Sequence, residues 1–368
     1  MVEETKPMRH GYTTGSNATA AMKAALLSLI SQRAVAHVDI LLPIGERVSF
    51  QMERVTFDEA YAEAEVIKDA GDDPDATHRA RIVATVRWRN EPGILLDGGV
   101  GVGRVTKPGL PVPVGEAAIN PVPRRMILTT AQEVLDEHGA QCGIHIVISV
   151  PDGEEIAKKT LNARLGIIGG ISILGTRGTV VPFSTAAFKA SIAQAISVAV
   201  QSGCDHLIAT TGGRSEKFAM TLYEDYPEEA FIEMGDFVGF TLKMCKKYGV
   251  KRVSLVGMMG KFSKVAQGVM MVHSKSAPID FGFLAGIAEE AGAAEEIVAQ
   301  VREANTASQV GDLMKDHGYD TFFGALCRHV CHAGLKEMGG DAELETVIIT
   351  MKSEILGRER VDCRGLSK

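Results

Sequence analysis

Hydrophobic and polar positions follow two different patterns along the chain, one before and one after about residue 140. Residues 16–31 are rich in alanine and leucine and contain no helix breaker, which predicts a helix behind the hydroxyl-rich loop at residues 11–15. Alternating polar and apolar positions, divided by turn residues, then predict short strands. We expect these strands at residues 36–42, 47–55, 60–67 and 81–89. The first part of the chain is therefore predicted to be an α+β domain.

Residues 93–123 interrupt this pattern because they are dense in glycine and proline. Both residue types are disfavoured inside helices and central strands, so the sequence predicts a long structured loop. Loops of that length in a compact domain usually serve a function, which makes the segment a candidate for ligand binding.

Beyond residue 140 continuous apolar strands alternate with helices. Strands are predicted at residues 144–150, 206–211, 252–257 and 346–351, with helices at 154–165, 183–201 and 229–247. This alternation is typical of a parallel sheet with helices on both faces. A chain of 368 residues also exceeds the roughly 250–300 residues at which one core stops growing. We therefore expect an α/β protein of two domains: an N-terminal α+β domain at residues 1–140 and a C-terminal Rossmann-like parallel-sheet domain at residues 141–368.

Composition and charge exclude several classes of protein. The net charge is −7 and no basic run occurs, so a nucleic-acid-binding surface is not expected. Residues 1–10 lack an apolar stretch, and no run of eighteen apolar residues follows, so we expect neither a secretory signal nor a membrane span. We expect a cytoplasmic protein whose six cysteines are reduced thiols. A homo-oligomer is compatible with this picture.

Three glycine-rich turns could hold a ligand at the carboxyl ends of the predicted strands. They lie at residues 210–216, 257–262 and 166–178. Glycines let a ligand lie against the backbone, and hydroxyl and N–H groups can bind a carboxylate or a ribose. Tight connections between strand and helix explain any one of these turns equally well. The glycine fingerprint of dinucleotide-binding proteins is absent. Glu216, Glu233 and Asp236 are acidic candidates for a ribose diol, although solvated helix faces explain them equally well.

Other side chains offer less distinctive chemistry. Cys327, Cys331 and His332 lack the spacing of a metal site, so we expect packed core thiols and no metal. His10 and His273 are candidate proton carriers, although a structural role is the simpler explanation of each. Basic residues in the glycine-rich and proline-rich loops suit carboxylates or phosphates, although each alone could serve solubility.

Eight segments, in the same order over more than 300 residues, resemble the cobalt-precorrin-5B C(1)-methyltransferase family of the CbiD type. They are G-Y-T-T-G at 11–15, K-D-A-G-D-D-P-D-A-T at 68–77, G-G-V-G-V-G-R-V-T-K-P-G-L at 98–110, A-I-N-P-V-P-R-R-M at 118–126, S-V-P-D-G-E-E at 149–155, G-I-I-G-G-I-S-I-L-G-T at 166–176, T-T-G-G-R-S-E-K at 210–217, and residues 260–280. The sequence departs from the family at Asn17, where a cysteine is expected, and at His78-Arg79-Ala80, where a glycine is more frequent. Asn17 can cap or pack the first helix instead.

The resemblance implies transfer of a methyl group from S-adenosylmethionine to C-1 of cobalt-precorrin-5B, a small corrinoid, to give cobalt-precorrin-6A. The methyl donor is then expected at Gly169, Gly170, Thr211, Gly212, Gly213, Arg214, Ser215 and Glu216. The macrocycle is expected at Thr13, Thr14, Arg104, Lys107, Arg124, Arg125, Lys261, Lys264 and Lys275, in a cleft between the domains. His10 and His273 are the catalytic candidates. A nicotinamide-dependent reductase of a related tetrapyrrole and a corrinoid carrier without catalysis remain the alternatives.

Overall fold

The computed structural model describes residues 7–339 and 341–362 and divides into two compact units, Met1–Thr185 (unit 1) and Ala186–Lys368 (unit 2). The boundary therefore lies well beyond the predicted one at residue 140. The physical reason is that strand Gly143–Ser149 pairs with Arg81–Arg89 and with Ile94–Gly98, which draws it into the first unit.

Unit 1 is built mainly from short strands and two long helices. In chain order its elements are β1 (Gly11–Tyr12), α1 (Thr14–Ser31), β2 (His37–Leu41), β3 (Arg47–Gln51), β4 (Arg54–Phe57), β5 (Tyr61–Ile67), β6 (Arg81–Arg89), β7 (Ile94–Gly98), β8 (Gly101–Val102), β9 (Arg104–Val105), α2 (Pro121–Glu137), β10 (Gly143–Ser149), α3 (Gly153–Ala157), β11 (Ile167–Ile168), β12 (Gly170–Ile171) and β13 (Thr179–Val180).

The core of unit 1 lies between helix α1 and a five-stranded sheet in the order β4-β5-β6-β10-β7. Helix α1 packs against β5, β6 and α2. Its alanines, including Ala20, Ala21 and Ala24, are fully buried, and such small side chains let the helix approach the sheet closely. The helix begins behind Thr13, whose hydroxyl accepts a hydrogen bond from the Ser16 N–H at 3.2 Å. The predicted helix at 16–31 is confirmed.

Three predictions in unit 1 need correction. The predicted strand at 47–55 is broken between β3 and β4, which pair in different sheets. The segment 93–123 is not a loop throughout, because β7 forms an edge strand and Pro121 begins α2 at the first helical position, where a missing N–H costs nothing. The helix predicted at 154–165 ends at Ala157, after which the chain forms turns.

Unit 2 alternates strands and helices. Its elements are α4 (Thr185–Gln201), β14 (His206–Thr210), α5 (Gly213–Leu222), a single 3₁₀ turn (Glu228–Ala230), β15 (Phe231–Glu233), α6 (Val238–Lys247), β16 (Arg252–Met258), α7 (Met259–Ala266), α8 (Phe281–Glu290), α9 (Glu295–Arg302), α10 (Ala307–Asp316), α11 (Thr321–Met338), β17 (Glu343–Ile349) and β18 (Ile355–Asp362).

The sheet of unit 2 has the order β15-β14-β16-β17-β18, in which the first four strands are parallel and β18 is antiparallel. Alternate residues of β14 point into two different cores. Leu207 and Ala209 belong to one core, and Ile208 belongs to the other. Apolar cores therefore cover both faces, which explains why the strands are continuously apolar. The strands predicted at 206–211, 252–257 and 346–351 are confirmed, whereas the helix predicted at 229–247 begins only at Val238, after β15.

In the part of the chain that the structure describes, no helix combines the length and apolar character needed to cross a membrane.

Candidate functional site

A cleft of about 1300 Å³ opens in unit 2 where three parallel strands end. Thr211 follows β14, Met258 ends β16 and Ile349 ends β17, and all three line the cleft. From β14 the chain passes to β15 on one side and then returns to β16 on the other side. The cleft therefore lies at the point where the strand order reverses, which is where open α/β sheets bind their ligands.

Three glycines along this cleft have space in front of them. Gly212 has φ +152°, Gly213 begins α5 and Gly260 lies in the first turn of α7. A Cβ added at any of the three would meet no atom within 4 Å. Packing against other parts of the protein does not require these glycines. The backbone conformation of Gly212 favours glycine by itself, and all three residues leave the backbone open to the cleft.

The cleft floor is held by polar contacts around the β14–α5 turn. Lys261 Nζ donates to the Thr211 carbonyl at 2.8 Å and pairs with Asp236 at 3.0 Å, which links α7 to the loop after β15. The Ser215 hydroxyl donates to the Gly212 carbonyl at 2.8 Å and so stabilises the turn. Asp236 was an acidic candidate in the sequence, and it lines the cleft.

The segment 272–279 forms another wall, held in place from α7. Lys264 is 6% exposed, and its Nζ donates to the carbonyls of His273 and Ser274 at 2.9 and 3.5 Å. His273 lines the cleft, and its Nδ1 accepts the Lys275 N–H at 3.2 Å. Lys275 itself and Glu216 are not among the described residues that line the cleft.

Sequence reasoning missed the wall contributed by α10 and the β17–β18 turn. Lys315, Lys352 and Glu354 line the cleft there, and Lys315 pairs with Glu354 at 3.5 Å. Arg214 reaches the same turn, with its Nη1 2.8 Å from Met351 Sδ. The signal was present, because a strand was predicted to end at residue 351 and ligands bind beyond strand ends.

Gly169 and Gly170 were predicted to bind the donor, but they lie in unit 1. Gly170 pairs with Gly101 between β12 and β8, and a Cβ on Gly170 would overlap the Gly101 carbonyl. The glycine is required because two backbone segments approach closely there. Gly169, with φ +85°, would meet no atom within 4 Å of an added Cβ, and the assignment of this turn to the donor remains a proposal.

Thr13 and Thr14 make hydrogen bonds that stabilise unit 1. Thr14 Oγ1 lies 3.2 Å from the Leu174 carbonyl and accepts the Leu174 N–H at 2.9 Å. Both threonines are buried and use their hydroxyls within the fold, and their contact with the substrate remains a proposal. Asn17, where the resemblance led us to expect a cysteine, is buried in α1 and donates to the Thr13 carbonyl at 2.8 Å, as a residue that packs the helix should.

The basic side chains predicted in unit 1 lie on its surface. Arg104 pairs with Asp97 at 2.7 Å, and Lys107 Nζ lies 3.4 Å from the Arg164 carbonyl. Arg124 and Arg125 line a second cavity of about 500 Å³, where Arg124 pairs with a glutamate. His10 is exposed, and its backbone bridges to residue 71.

The cysteines of α11 are core residues, as predicted. Cys327 and Cys331 are fully buried, and burial raises the pKa of both thiols, that of Cys331 to about 12. The Cys331 sulfur also contacts Thr346 Oγ1 at 3.2 Å. These thiols stay protonated at neutral pH and have the properties of packed apolar side chains.

A buried polar network crosses the sheet of unit 2. Glu345 of β17 accepts hydrogen bonds from Ser254, Tyr223 and Arg358, the last at 2.8 Å. Burial opposes ionisation of Glu345, but these donors outweigh it and lower its pKa to about 2. His206, which contacts Ser254 at 2.8 Å, has its pKa lowered by burial. The network joins β14, β16, β17 and β18 beneath the cleft-bearing strand ends.

Comparison with known proteins connects this chain to one family. The chain is 64% identical over 357 residues to the cobalt-precorrin-5B C(1)-methyltransferase of Geobacillus sp. (strain WCH70), covering 97% of this chain and 98% of the relative. It is 63% identical over 356 residues to the enzyme of the same name from Priestia megaterium, covering 97% of each. A crystal structure of the cobalamin biosynthesis protein CbiD from Archaeoglobus fulgidus is 31% identical, covers 69% of this chain and 78% of that chain, and superimposes with a TM-score of 0.39.

The CbiD family description matches residues 1–182, which end close to the boundary between the two units, and the description of the CbiD C-terminal domain matches residues 271–360. With relatives at this level of identity along nearly the whole length, the resemblance seen in the sequence motifs is confirmed, and the chain belongs to the CbiD family.

Proposed function

We propose that this protein transfers a methyl group from S-adenosylmethionine to C-1 of cobalt-precorrin-5B and so produces cobalt-precorrin-6A. The activity is the one named in its relatives of 63–64% identity. The observation that carries the proposal is the cleft at the reversal point of the parallel sheet, bordered by glycines that leave space for a ligand. That strand order also supports classifying unit 2 as Rossmann-like.

The residues around the β14–α5 turn fit an adenosyl ligand. The turn at Thr211–Gly213 exposes backbone, and the N–H groups at the start of helix α5 attract negative charge. Asp236, fixed by Lys261, has a carboxylate that can accept hydrogen bonds from a ribose diol. We assign the donor to this side of the cleft.

The remaining volume suits the macrocycle. Pockets for one small ligand usually enclose roughly 300–1000 Å³, and this cleft is larger. Arg214, Lys264, Lys315 and Lys352 line it, and a corrinoid intermediate with many carboxylate side chains needs such cations. Arg124 and Arg125 in unit 1 remain a second proposed contact for those carboxylates.

S-adenosylmethionine supplies a methyl group on a sulfonium that is already electrophilic. The protein's task is therefore to orient the two partners and to exclude water. His273 is the proposed proton carrier, because it lines the cleft and its Nδ1 is occupied by the Lys275 N–H, which leaves Nε2 for exchange.

Isothermal titration with S-adenosylhomocysteine tests the placement of the donor. The Gly213→Trp variant should abolish binding, because the indole would fill open space in the cleft. Gly286→Trp is the matched control: this glycine lies on the exposed face of α8, where an added Cβ also meets nothing within 4 Å. Unchanged affinity in Gly213→Trp would exclude the β14–α5 turn as the donor site.

Mass spectrometry of the corrinoid product separates methyl transfer from the two alternatives. Incubation with cobalt-precorrin-5B and S-adenosylmethionine should add the mass of one methylene group. A gain of two hydrogens with a nicotinamide cofactor would instead support a reductase. An unchanged substrate that copurifies with the protein would support a carrier.

A further inference from the structure

Lys264 is a buried cation in the cleft wall whose hydrogen-bond partners are neutral. Its Nζ donates to the carbonyls of His273 and Ser274, and no carboxylate of the described residues forms an ion pair with it. Lys261, one turn earlier on α7, has the partner that Lys264 lacks, since it pairs with Asp236 at 3.0 Å.

Such an arrangement is costly in the free protein. Lysine is almost never this deeply buried without a counter-charge, because an ammonium loses its hydration when it leaves water. Carbonyl dipoles replace part of that hydration but supply no net negative charge. An anion that enters the cleft would therefore gain an attraction strengthened by the low local dielectric.

We propose that Lys264 binds a carboxylate of a ligand in this cleft. The inference rests on the proposed function, in which both ligands carry that group: the methionyl carboxylate of the donor and the acid side chains of the macrocycle. Because Lys264 also holds the carbonyls of His273 and Ser274, the same contact fixes the 272–279 wall around the bound ligand.

Lys264→Gln is the informative variant, because the amide keeps an N–H donor for the carbonyls and removes the charge. In the donor arm, titrations compare S-adenosylhomocysteine with 5′-methylthioadenosine, which lacks the amino-acid carboxylate. If the donor is the source, Lys264→Gln weakens S-adenosylhomocysteine roughly 10- to 100-fold and leaves methylthioadenosine unchanged. Lys264→Arg, which restores a cation, should recover most of the loss.

In the macrocycle arm, the probes are cobyrinic acid and its heptamethyl ester, which has the same ring without free carboxylates. If the macrocycle is the source, Lys264→Gln weakens binding of the acid by a similar factor and spares the ester. Lys247→Met, an exposed lysine on α6, controls for a general loss of positive charge and should change neither pair.

Two results would overturn the inference. One is an equal loss of affinity for the charged and uncharged member of both pairs, which would mean that Lys264 only holds the wall. The other is no change in any of the four affinities. Either differs from a failure of the proposed function, in which the unaltered protein itself would not bind S-adenosylhomocysteine.

Discussion

Two buried lysines, one in each unit, differ in a way that separates structure from function. Lys68 of unit 1 is 1% exposed and pairs with Asp75 at 2.7 Å, so its charge is neutralised within the fold. Lys264 of unit 2 is 6% exposed and has only carbonyl partners among the described residues. Of these two lysines, the one without a carboxylate partner among the described residues, Lys264, lines a cleft, where a ligand can supply the negative charge.

Individual glycines also differ in this way, although the two kinds are not divided between the units. In unit 1, Gly101 has φ +70° and a Cβ there would overlap the Val150 carbonyl, so close packing demands glycine. In unit 2, Gly213 and Gly260 have empty space where a Cβ would be. Glycine-rich turns that look alike in sequence therefore have two causes, and only the second leaves room for a ligand.

The largest expected effect tests the neutralised lysine. Lys68→Met leaves the Asp75 carboxylate without its cation, and breaking a buried pair costs about 3–5 kcal/mol. Denaturant unfolding should show this loss of stability. The affinity for S-adenosylhomocysteine, measured under conditions in which the variant is folded, should stay unchanged. Lys264→Gln should behave in the opposite way, with little loss of stability and a large change in ligand binding. If both variants changed stability equally, the distinction between a structural Lys68 and a ligand-binding Lys264 would be wrong.

The buried carboxylate of Glu345 in unit 2 should contribute to stability, as Lys68 does in unit 1, because its charge is held by hydrogen-bond donors within the fold. The pKa of Glu345 is lowered from 4.5 to about 2, so the folded state favours the ionised form. The stabilisation is present above pH 4.5 and is lost as the pH falls toward 2, on the order of 3 kcal/mol in total.

Urea unfolding from about pH 5.5 down to about pH 3 measures this dependence. Glu345→Gln should be less stable at neutral pH and should lose less stability on acidification than the unaltered protein. An identical pH slope in the two proteins would show that the donors around Glu345 do not hold its charge.

The next prediction compares two glycines of unit 1 that share a left-handed backbone. Gly101→Ala should destabilise the protein by about 2–3 kcal/mol, since the methyl group adds overlap with Val150 to the backbone penalty. Gly115→Ala, with φ +92° and nothing within 4 Å of an added Cβ, should cost only about 1 kcal/mol. Thermal unfolding of both variants checks the difference, which should vanish if the close approach has no energetic role.

Local patterns predicted what depends on neighbouring residues and failed where distant segments meet. The alanine-rich run of α1 and the apolar strands β14 and β16 are visible in sequence because their periodicity is local. The turn at Thr211–Gly213 followed from a strand end. Local sequence does not show why residue 170 must be glycine, because that requirement comes from Gly101, far away in the chain. The burial of Lys264 likewise depends on a segment folded over it and leaves no mark in the local composition.

The smallest expected effect on stability is a gain, and it should be accompanied by a loss of ligand affinity. Gly260 lies in α7, and alanine is a better helix former than glycine, so Gly260→Ala should stabilise the protein by about 0.5 kcal/mol. The same methyl group protrudes into the cleft and should lower S-adenosylhomocysteine affinity several-fold. Gly286→Ala in α8, where an added Cβ also meets nothing within 4 Å, should stabilise equally without any change in affinity. A Gly260→Ala protein that gains stability and binds the ligand unchanged would mean that the donor lies elsewhere in the cleft, because the space in front of this glycine would then have no occupant.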